Sequence, residues 1–220
     1  MPDEYGIQML TMLEHGGCRP EELSGICFSS VVPPLTERIV QACQTYLQRT
    51  PLVVDCALNL GIRIAYDDPK AVGGDRLADA AAAWKLYGGP ACIIDFGTAT
   101  TFNALTREGV YLGGAIAAGI GLTLEALVQR TAKLPPVELK APPSVIGSNT
   151  IHAMQSGILN GYVAMAEGMT RRFRDELGAD MKVIGTGGHI NLIASQTNII
   201  DILAPWLTLD GLRIIWELNQ

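Results

Sequence analysis

The sequence lacks the features that mark membrane and secreted proteins. No segment reaches the roughly 18 uncharged apolar residues that a membrane-spanning helix needs. The start, MPDEYGIQML, has neither the basic end nor the cleavage site of a signal peptide. We therefore expect a cytoplasmic protein that makes no contact with a membrane.

Paired cysteines and a basic surface are missing too. The five cysteines are an odd number and include no Cys-x-x-Cys pair, so they suggest neither a disulfide framework nor a zinc site. We expect them to be small, buried apolar residues. The formal net charge is -6, and the densest cationic run, RRFR at 171–174, falls inside an apparent amphipathic helix. We therefore expect no nucleic-acid partner.

Apolar residues are plentiful, at 48% of the 220 residues, which is enough for one large domain or for two lobes with their own cores. Helical and strand-like patterns alternate along the chain, and this predicts an α/β fold with a sheet in each half. No low-complexity linker divides the halves. We expect an N-terminal lobe over residues 1–90 and a C-terminal lobe over residues 91–220, packed against each other.

The individual elements follow from local patterns. In the first half we expect helices over 3–15, 33–48 and 73–88, with strands at 25–32 and 51–55. ACIIDFG, TFNALT and VYLGGAIAAGI then predict three strands of an antiparallel meander, with the turn TREG before the third. The remainder is mostly helical, apart from a strand at MKVIGT.

The motif DFGTATT ends an apolar run on a carboxylate, Asp95. A buried carboxylate costs several kcal/mol unless it is paired, hydrogen-bonded or coordinated, so Asp95 needs a partner. The backbone N–H groups and the hydroxyls of Thr98, Thr100 and Thr101 surround a glycine turn, and such a surface can approach a phosphate. A tight hairpin explains the same residues, so both readings stay open.

Two further motifs also have two readings each, and a third has one. In GGDR at 73–76, Asp75 and Arg76 lie beside the free N–H groups of a helix start, where Asp75 could act on a substrate or simply cap the helix. GTGGH at 185–189 could hold a flat nucleoside against bare backbone, or it could let two elements pack closely. In GSNT at 147–150, an ordinary N-cap at Asn149 or Thr150 accounts for the composition.

The order of these motifs carries a family resemblance that no single motif carries. The matching stretches are SSVVPPLTE, IRIAYDDPKAVGGDR, DFGTATTFNAL, YLGGAIAAGIGLTLEAL, AKLPPVEL, VIGSNTIHAMQSGILNGY, VIGTGGH and LTLDGL. Together they closely resemble the type III pantothenate kinases, members of the acetate and sugar kinase, Hsp70 and actin superfamily. The resemblance implies a two-lobed actin-like (ribonuclease H-like) fold. It also implies ATP-dependent phosphorylation of pantothenate to 4′-phosphopantothenate, the first step of coenzyme A biosynthesis.

The resemblance assigns roles on the pantothenate side of the reaction. It implies that Asp75 is the general base for the pantothenate hydroxyl. Tyr66, Gly73, Gly74 and Arg76 would line the pantothenate site with it. Gly74 stands where the family usually has alanine, and this departure removes no reacting group.

The resemblance also assigns roles to the ATP side and to assembly. Asp95 would bind a monovalent cation, potassium or ammonium, and Thr98 would lie at the ATP phosphates, with Mg²⁺ carried by ATP. Thr150 would reach pantothenate from the other subunit of a homodimer. Ala118 replaces a proline that is common in the family, again without loss of a reacting group.

One departure bears on the phosphate site. Members of the family begin with a strand that carries Asp-x-Gly-Asn-Thr and grips the ATP phosphates, whereas here the match starts at DEYG. We therefore expect an incomplete first lobe with an open strand edge. Three alternatives remain: an inactive fragment, a non-catalytic regulator resembling the Bvg accessory factors, or a kinase acting on a sugar or acetate. Intact Asp75 and Arg76 favour an enzyme over the regulator, and the resemblance of GGDR beside YDDP to the family favours pantothenate as the substrate.

Overall fold

The structure, a computed structural model, describes all 220 residues and divides the chain into two compact units. Unit 1 comprises Met1–Ile62, Asp67–Ala82 and Thr208–Gln220, and unit 2 comprises Arg63–Tyr66 and Ala83–Leu207. Each unit is therefore discontinuous in sequence. The division into lobes of residues 1–90 and 91–220 stays a prediction.

Unit 1 consists mainly of helices around a very small sheet. Its helices are α1 (Pro2–His15), α2 (Pro33–Tyr46), the part of α3 (Gly74–Tyr87) up to Ala82, and all but the first residue of α7 (Leu207–Leu218). Its sheet has two parallel strands of two residues each, β1 (Cys27–Phe28) and β2 (Leu52–Val53).

Unit 2 is built on a six-stranded mixed sheet in the order β3-β6-β5-β4-β7-β8. The strands are β3 (Arg63–Ile64), β4 (Ala91–Phe96), β5 (Ala99–Leu105), β6 (Val110–Ala118), β7 (Lys182–Thr186) and β8 (Ile202–Leu203). The helices of this unit are α4 (Ile120–Gln129), α5 (Thr150–Leu177) and α6 (Ile190–Ala194), together with the end of α3. β4, β5 and β6 pair antiparallel, which confirms the predicted meander.

The core of unit 2 lies between this sheet and α5. Ile94, Phe102 and Leu159 are at most 1% exposed, and the rings of Phe102 and Phe173 lie 6.0 Å apart between centroids. The apolar residues of α5 recur at helical spacing, so one stripe of the helix is buried against the sheet. This packing fixes the strand ends on which the candidate site is built.

Most predicted helices are confirmed, whereas the strand expected at 25–32 is wrong over most of its length. Only Cys27 and Phe28 pair in the sheet, because the hydroxyl of Ser30 accepts a hydrogen bond from the Val32 N–H and turns the chain into α2. Val31 and Val32 are exposed. The two-residue strands β3 and β8 carry too little pattern to be predicted. None of the helices combines the length and the apolar character that crossing a bilayer requires.

Candidate active site

Asp95 lies near the end of β4, between the two glycine motifs of unit 2. It is paired in register with Thr101 of β5 on one side and with Thr186 of β7 on the other. A Cβ at Gly187 would lie 2.3 Å from Asp95 Oδ1, and a Cβ at Gly97 would lie 3.5 Å from the same oxygen. The sheet therefore brings DFGTATT and GTGGH together around one carboxylate.

The three threonines of DFGTATT do not form a single surface, which corrects the sequence-based expectation. Thr100 is fully buried, and its hydroxyl pairs with the Tyr162 hydroxyl at 2.6 Å in the core. Burial raises the pKa of Tyr162, and the hydrogen bond with Thr100 opposes this effect. Thr101 lies on the same face of the sheet as Asp95, because residues directly opposite in a strand pair share a face. Thr98 is exposed in the turn.

Helix α4 begins directly against this turn. The N–H of Gly119 donates to the Thr98 carbonyl at 2.9 Å, and a Cβ at Gly119 would lie 2.2 Å from that oxygen and 2.4 Å from the Gly97 oxygen. Position 119, directly before α4, therefore has no room for a side chain. The free N–H groups at the start of α4, together with its dipole, favour an anion at this edge of the sheet.

The end of β7 completes this edge. Gly187 adopts a left-handed φ of 94° and packs on Asp95 and Phe96, whereas a Cβ at Gly188 would meet nothing within 4 Å. The His189 N–H donates to the Phe96 carbonyl, and His189 Nε2 lies 3.8 Å from the Cβ position of Gly121 in α4. The two readings of GTGGH thus separate: Gly187 serves close packing, and Gly188 offers bare, open backbone.

The atoms around Asp95 restrict the kind of cation that could bind there. No group of three or more His, Cys, Asp or Glu side chains is placed to hold a metal ion. The turn carries the Asp95 carboxylate, and the backbone oxygens of Gly97 and Thr98 lie against Gly119 at the start of α4. Oxygen atoms are ligands of hard cations, whereas zinc is usually held by histidine and cysteine.

In unit 1, Asp75 is the second residue of α3 and not its N-cap. The helix begins at Gly74, and Asp75 Oδ1 accepts the N–H of Arg76 at 2.9 Å. A Cβ at Gly73 would lie 2.4 Å from Asp75 Oδ1, so glycine at 73 leaves room for the carboxylate. An alanine at Gly74, the residue usual in the resembling family, would bring its Cβ within 2.7 Å of the Val54 carbonyl.

The half-buried carboxylate of Asp75 lies on a groove of about 500 Å³. It is the only charged residue among the lining residues, which are otherwise Met9, Phe28, Ser29, Ser30, Val31, Val32, Leu35 and Ile39. Arg76 next to it is buried. A carboxylate that lines a groove can contact a molecule bound there, which is one requirement for a general base.

The remaining predicted site residues, Tyr66 and Thr150, belong to unit 2. The Tyr66 ring packs at 6.4 Å from the Tyr111 ring, and a Cβ at Gly113 would lie 2.7 Å from it. Thr150 is exposed and is the first residue of α5, on a groove that it shares with Leu134 and Gly147 among others. Asn149 is the N-cap, since its side chain accepts the His152 N–H, so Thr150 is not needed for capping.

The two sequence comparisons agree on one family, and a solved structure shares the fold. The sequence model described as "Type III pantothenate kinase" matches residues 1–172. A protein of that name from Dehalococcoides mccartyi is 47% identical over all 220 residues, which cover 85% of its length, and one from a Roseiflexus species is 46% identical, with 86% of its length covered. A crystal structure described as a Baf family transcriptional activator from Campylobacter jejuni superposes with a TM-score of 0.60 at 19% identity. The match covers 90% of this chain and 85% of that one.

Proposed function

The chain belongs to the type III pantothenate kinase family, and we propose that it transfers the γ-phosphoryl group of ATP to the hydroxyl of pantothenate, giving 4′-phosphopantothenate. Its mixed α/β architecture is that of the actin-like (ribonuclease H-like) kinases. The observation that carries the proposal is the match to pantothenate kinases along the whole chain, at 46–47% identity. This transfer is the first step of coenzyme A biosynthesis.

We propose that unit 2 binds ATP. Thr98 and the N-terminus of α4 would contact the ATP phosphates, and the open backbone at Gly188 would face the nucleoside. The family uses ATP together with a divalent metal ion, and we propose Mg²⁺ in that role. A potassium or ammonium ion would bind at Asp95. The bound cations would offset phosphate charge, because the chain has few basic side chains in these motifs.

The proposal gives the acceptor side to unit 1 and to Tyr66. Asp75 orients the pantothenate hydroxyl and accepts its proton as the hydroxyl oxygen attacks the γ-phosphorus and the bond to ADP breaks. Arg76 and the backbone of Gly73 and Gly74 would hold pantothenate beside it. These roles suffice for the reaction, because phosphoryl transfer depends mainly on positioning the reactants and stabilising charge.

We further propose a homodimer in which Thr150 completes the pantothenate site of the partner subunit. Its support is that Thr150 is exposed beside an open groove and that Asn149 already caps the helix. The cytoplasmic location and the absence of nucleic-acid partners stay predictions.

The alternative functions have less support. The Campylobacter jejuni structure is described as a transcriptional activator, but at 19% identity it bears on the fold alone. The net charge of -6 does not favour direct contact with DNA. Acetate and sugar kinases share the superfamily, whereas the relatives at 46–47% identity are named for pantothenate.

Release of ADP from ATP, measured with pantothenate, acetate or glucose as acceptor, tests the proposal. We expect turnover with pantothenate and only background hydrolysis with the other two acceptors. Equal ADP release with and without pantothenate would contradict the proposal, and turnover with glucose or acetate would replace it with another kinase.

A further inference from the structure

Tyr162 of α5 places a hydroxyl group between this helix and the sheet of unit 2. The residue is 6% exposed, and its hydroxyl contacts two atoms of the sheet, the Thr100 hydroxyl at 2.6 Å and the backbone carbonyl of Ala118. Buried polar groups are costly unless they are paired, and a phenylalanine would fill the same space without that requirement. The hydroxyl therefore calls for a role that packing alone does not supply.

The two hydrogen bonds of Tyr162 have a direction. A carbonyl oxygen can only accept, so the tyrosine hydroxyl donates its single hydrogen to Ala118. At Thr100 the tyrosine oxygen then accepts, and the threonine hydroxyl donates. Burial raises the pKa of Tyr162 and the hydrogen bond with Thr100 lowers it, as expected when threonine is the donor. Thr100 thus orients the tyrosine hydroxyl toward the Ala118 carbonyl.

The carbonyl that Tyr162 holds belongs to the peptide bond between Ala118 and Gly119. The N–H of the same peptide bond, on Gly119, donates to the Thr98 carbonyl at 2.9 Å. In a trans peptide the C=O and N–H lie in one plane and point in opposite directions. Tyr162 therefore holds this peptide unit from one side, and the turn that contains Thr98 holds it from the other.

This peptide unit is the last one before α4. Ala118 ends β6, and Gly119 is the N-cap of α4. A peptide unit whose two polar groups are both held cannot rotate without breaking a hydrogen bond, so its orientation sets the direction in which the helix leaves the sheet. The free N–H groups in the first turn of α4 are thereby fixed relative to Thr98.

We propose that Tyr162 is a positioning residue for the ATP phosphates. By holding the Ala118 carbonyl, it keeps the N–H groups of α4 beside Thr98, so that both can contact the same phosphate groups. The inference rests on the proposed function, because that proposal places the ATP phosphates at Thr98 and α4. Tyr162 itself is buried in the core and acts through the backbone, without touching the substrate.

The first test measures nucleotide binding without turnover. Isothermal titration calorimetry of the full chain with Mg²⁺ and AMP-PNP, a non-hydrolysable ATP analogue, compares wild type, Tyr162→Phe and Thr170→Val. Tyr162→Phe should raise the Kd about tenfold, because phosphate binding must then order a helix start that the hydroxyl had already fixed. Thr170 is the matched control, since it is also buried on α5 but its hydroxyl has no hydrogen-bond partner. Thr170→Val should leave the Kd unchanged.

The second test changes Thr100 and leaves Tyr162 in place. Thr100→Val removes the hydroxyl that orients Tyr162 and should raise the Kd for AMP-PNP about fivefold, whereas Thr100→Ser keeps the hydroxyl and should stay within about twofold of wild type. In the Tyr162→Phe background Thr100→Val should have no further effect on the Kd, because no hydroxyl is left to orient. A merely structural role would lower the melting temperature and leave the Kd unchanged.

Kinetics separate this inference from the proposed function. In Tyr162→Phe the KM for ATP should rise about tenfold, while the KM for pantothenate stays within about twofold. An unchanged Kd in Tyr162→Phe, an equal rise in Thr170→Val, additive effects of the Tyr162 and Thr100 changes, or wild type that does not bind AMP-PNP would overturn the positioning role. If Tyr162→Phe does not fold, equal Kd values for Thr100→Val and Thr100→Ser would overturn it. If the Kd values shift as described but no pantothenate is phosphorylated, the positioning role stands and the proposed function fails.

Discussion

The adjacent glycines of GTGGH allow a matched comparison, because the same substitution meets opposite surroundings at the two positions. At Gly187 a Cβ would lie 2.3 Å from Asp95 Oδ1 and 2.6 Å from the Phe96 nitrogen, and the backbone has a left-handed φ of 94°. At Gly188 a Cβ would meet nothing within 4 Å. We expect Gly187→Ala to destabilise the protein and Gly188→Ala to leave its stability unchanged.

The magnitude follows from two costs at Gly187. A left-handed φ costs a residue that carries a Cβ about 1–2 kcal/mol. Crowding against backbone that cannot move aside adds about 1–3 kcal/mol. The free energy of unfolding should therefore fall by about 2–5 kcal/mol, which corresponds to a melting temperature lower by roughly 4–20 °C for a chain of this size. Gly188→Ala should stay within about 0.5 kcal/mol of wild type.

Urea unfolding followed by circular dichroism measures both variants against wild type, and steady-state kinetics supply a second comparison. Since the proposed site has the nucleotide at this turn, Gly188→Ala should raise the KM for ATP although the protein remains as stable as wild type. Equal stability of the two variants would refute the packing argument at Gly187. An unchanged KM for ATP in Gly188→Ala would mean that the nucleotide does not lie against this backbone.

Three further predictions concern the cation, the assembly and a buried thiol. Turnover should rise steeply with potassium or ammonium and stay low in sodium, and Asp95→Ala should abolish that dependence; equal rates in sodium and potassium would leave Asp95 with a structural role only. Asp75→Asn and Thr150→Arg, each inactive alone, should regain up to about a quarter of wild-type activity when refolded together, since a C2 dimer then contains some sites free of both changes; a monomer in sedimentation would contradict a shared site. Burial raises the pKa of the Cys92 thiol to about 12, so Cys92 should resist alkylation by iodoacetamide at pH 8.5 in the folded protein and react in urea, and rapid labelling of the native state would contradict that burial.

The sequence allowed the meander and the long helices to be predicted because their signals are local and strong. Three apolar runs separated by short turns leave little choice but an antiparallel arrangement, and the structure confirms it in β4, β5 and β6. The strand at 25–32 was overestimated for a physical reason. Apolar character at Val31 and Val32 resembles a strand, but the Ser30 turn and the start of α2 at Pro33 take these residues out of the sheet.

The details of the candidate site depend on register, which no local pattern reveals. The directions of Thr100 and Thr101 are set by the pairing of β5 with β4 and β6, so Thr100 enters the core while Thr101 shares a face with Asp95. The contact between Gly187 and Asp95 likewise requires β7 to lie beside β4. The alternation of polar residues at 101 and 103 indicates that both lie on one face of β5, where Asn103 donates to the Thr101 hydroxyl. The hydrogen bond from the Tyr111 hydroxyl on β6 to Asn103 could not be predicted from sequence.

The most direct test of the account is transfer of a labelled γ-phosphoryl group from ATP to pantothenate by wild type and Asp75→Asn side by side. Wild type should yield labelled 4′-phosphopantothenate, identified by its mass. Asp75→Asn should keep its fold and its affinity for ATP while kcat falls roughly 10²- to 10⁴-fold, the usual range for a lost general base. Absence of the labelled product from folded wild-type protein, or a kcat for Asp75→Asn near that of wild type, would contradict the account.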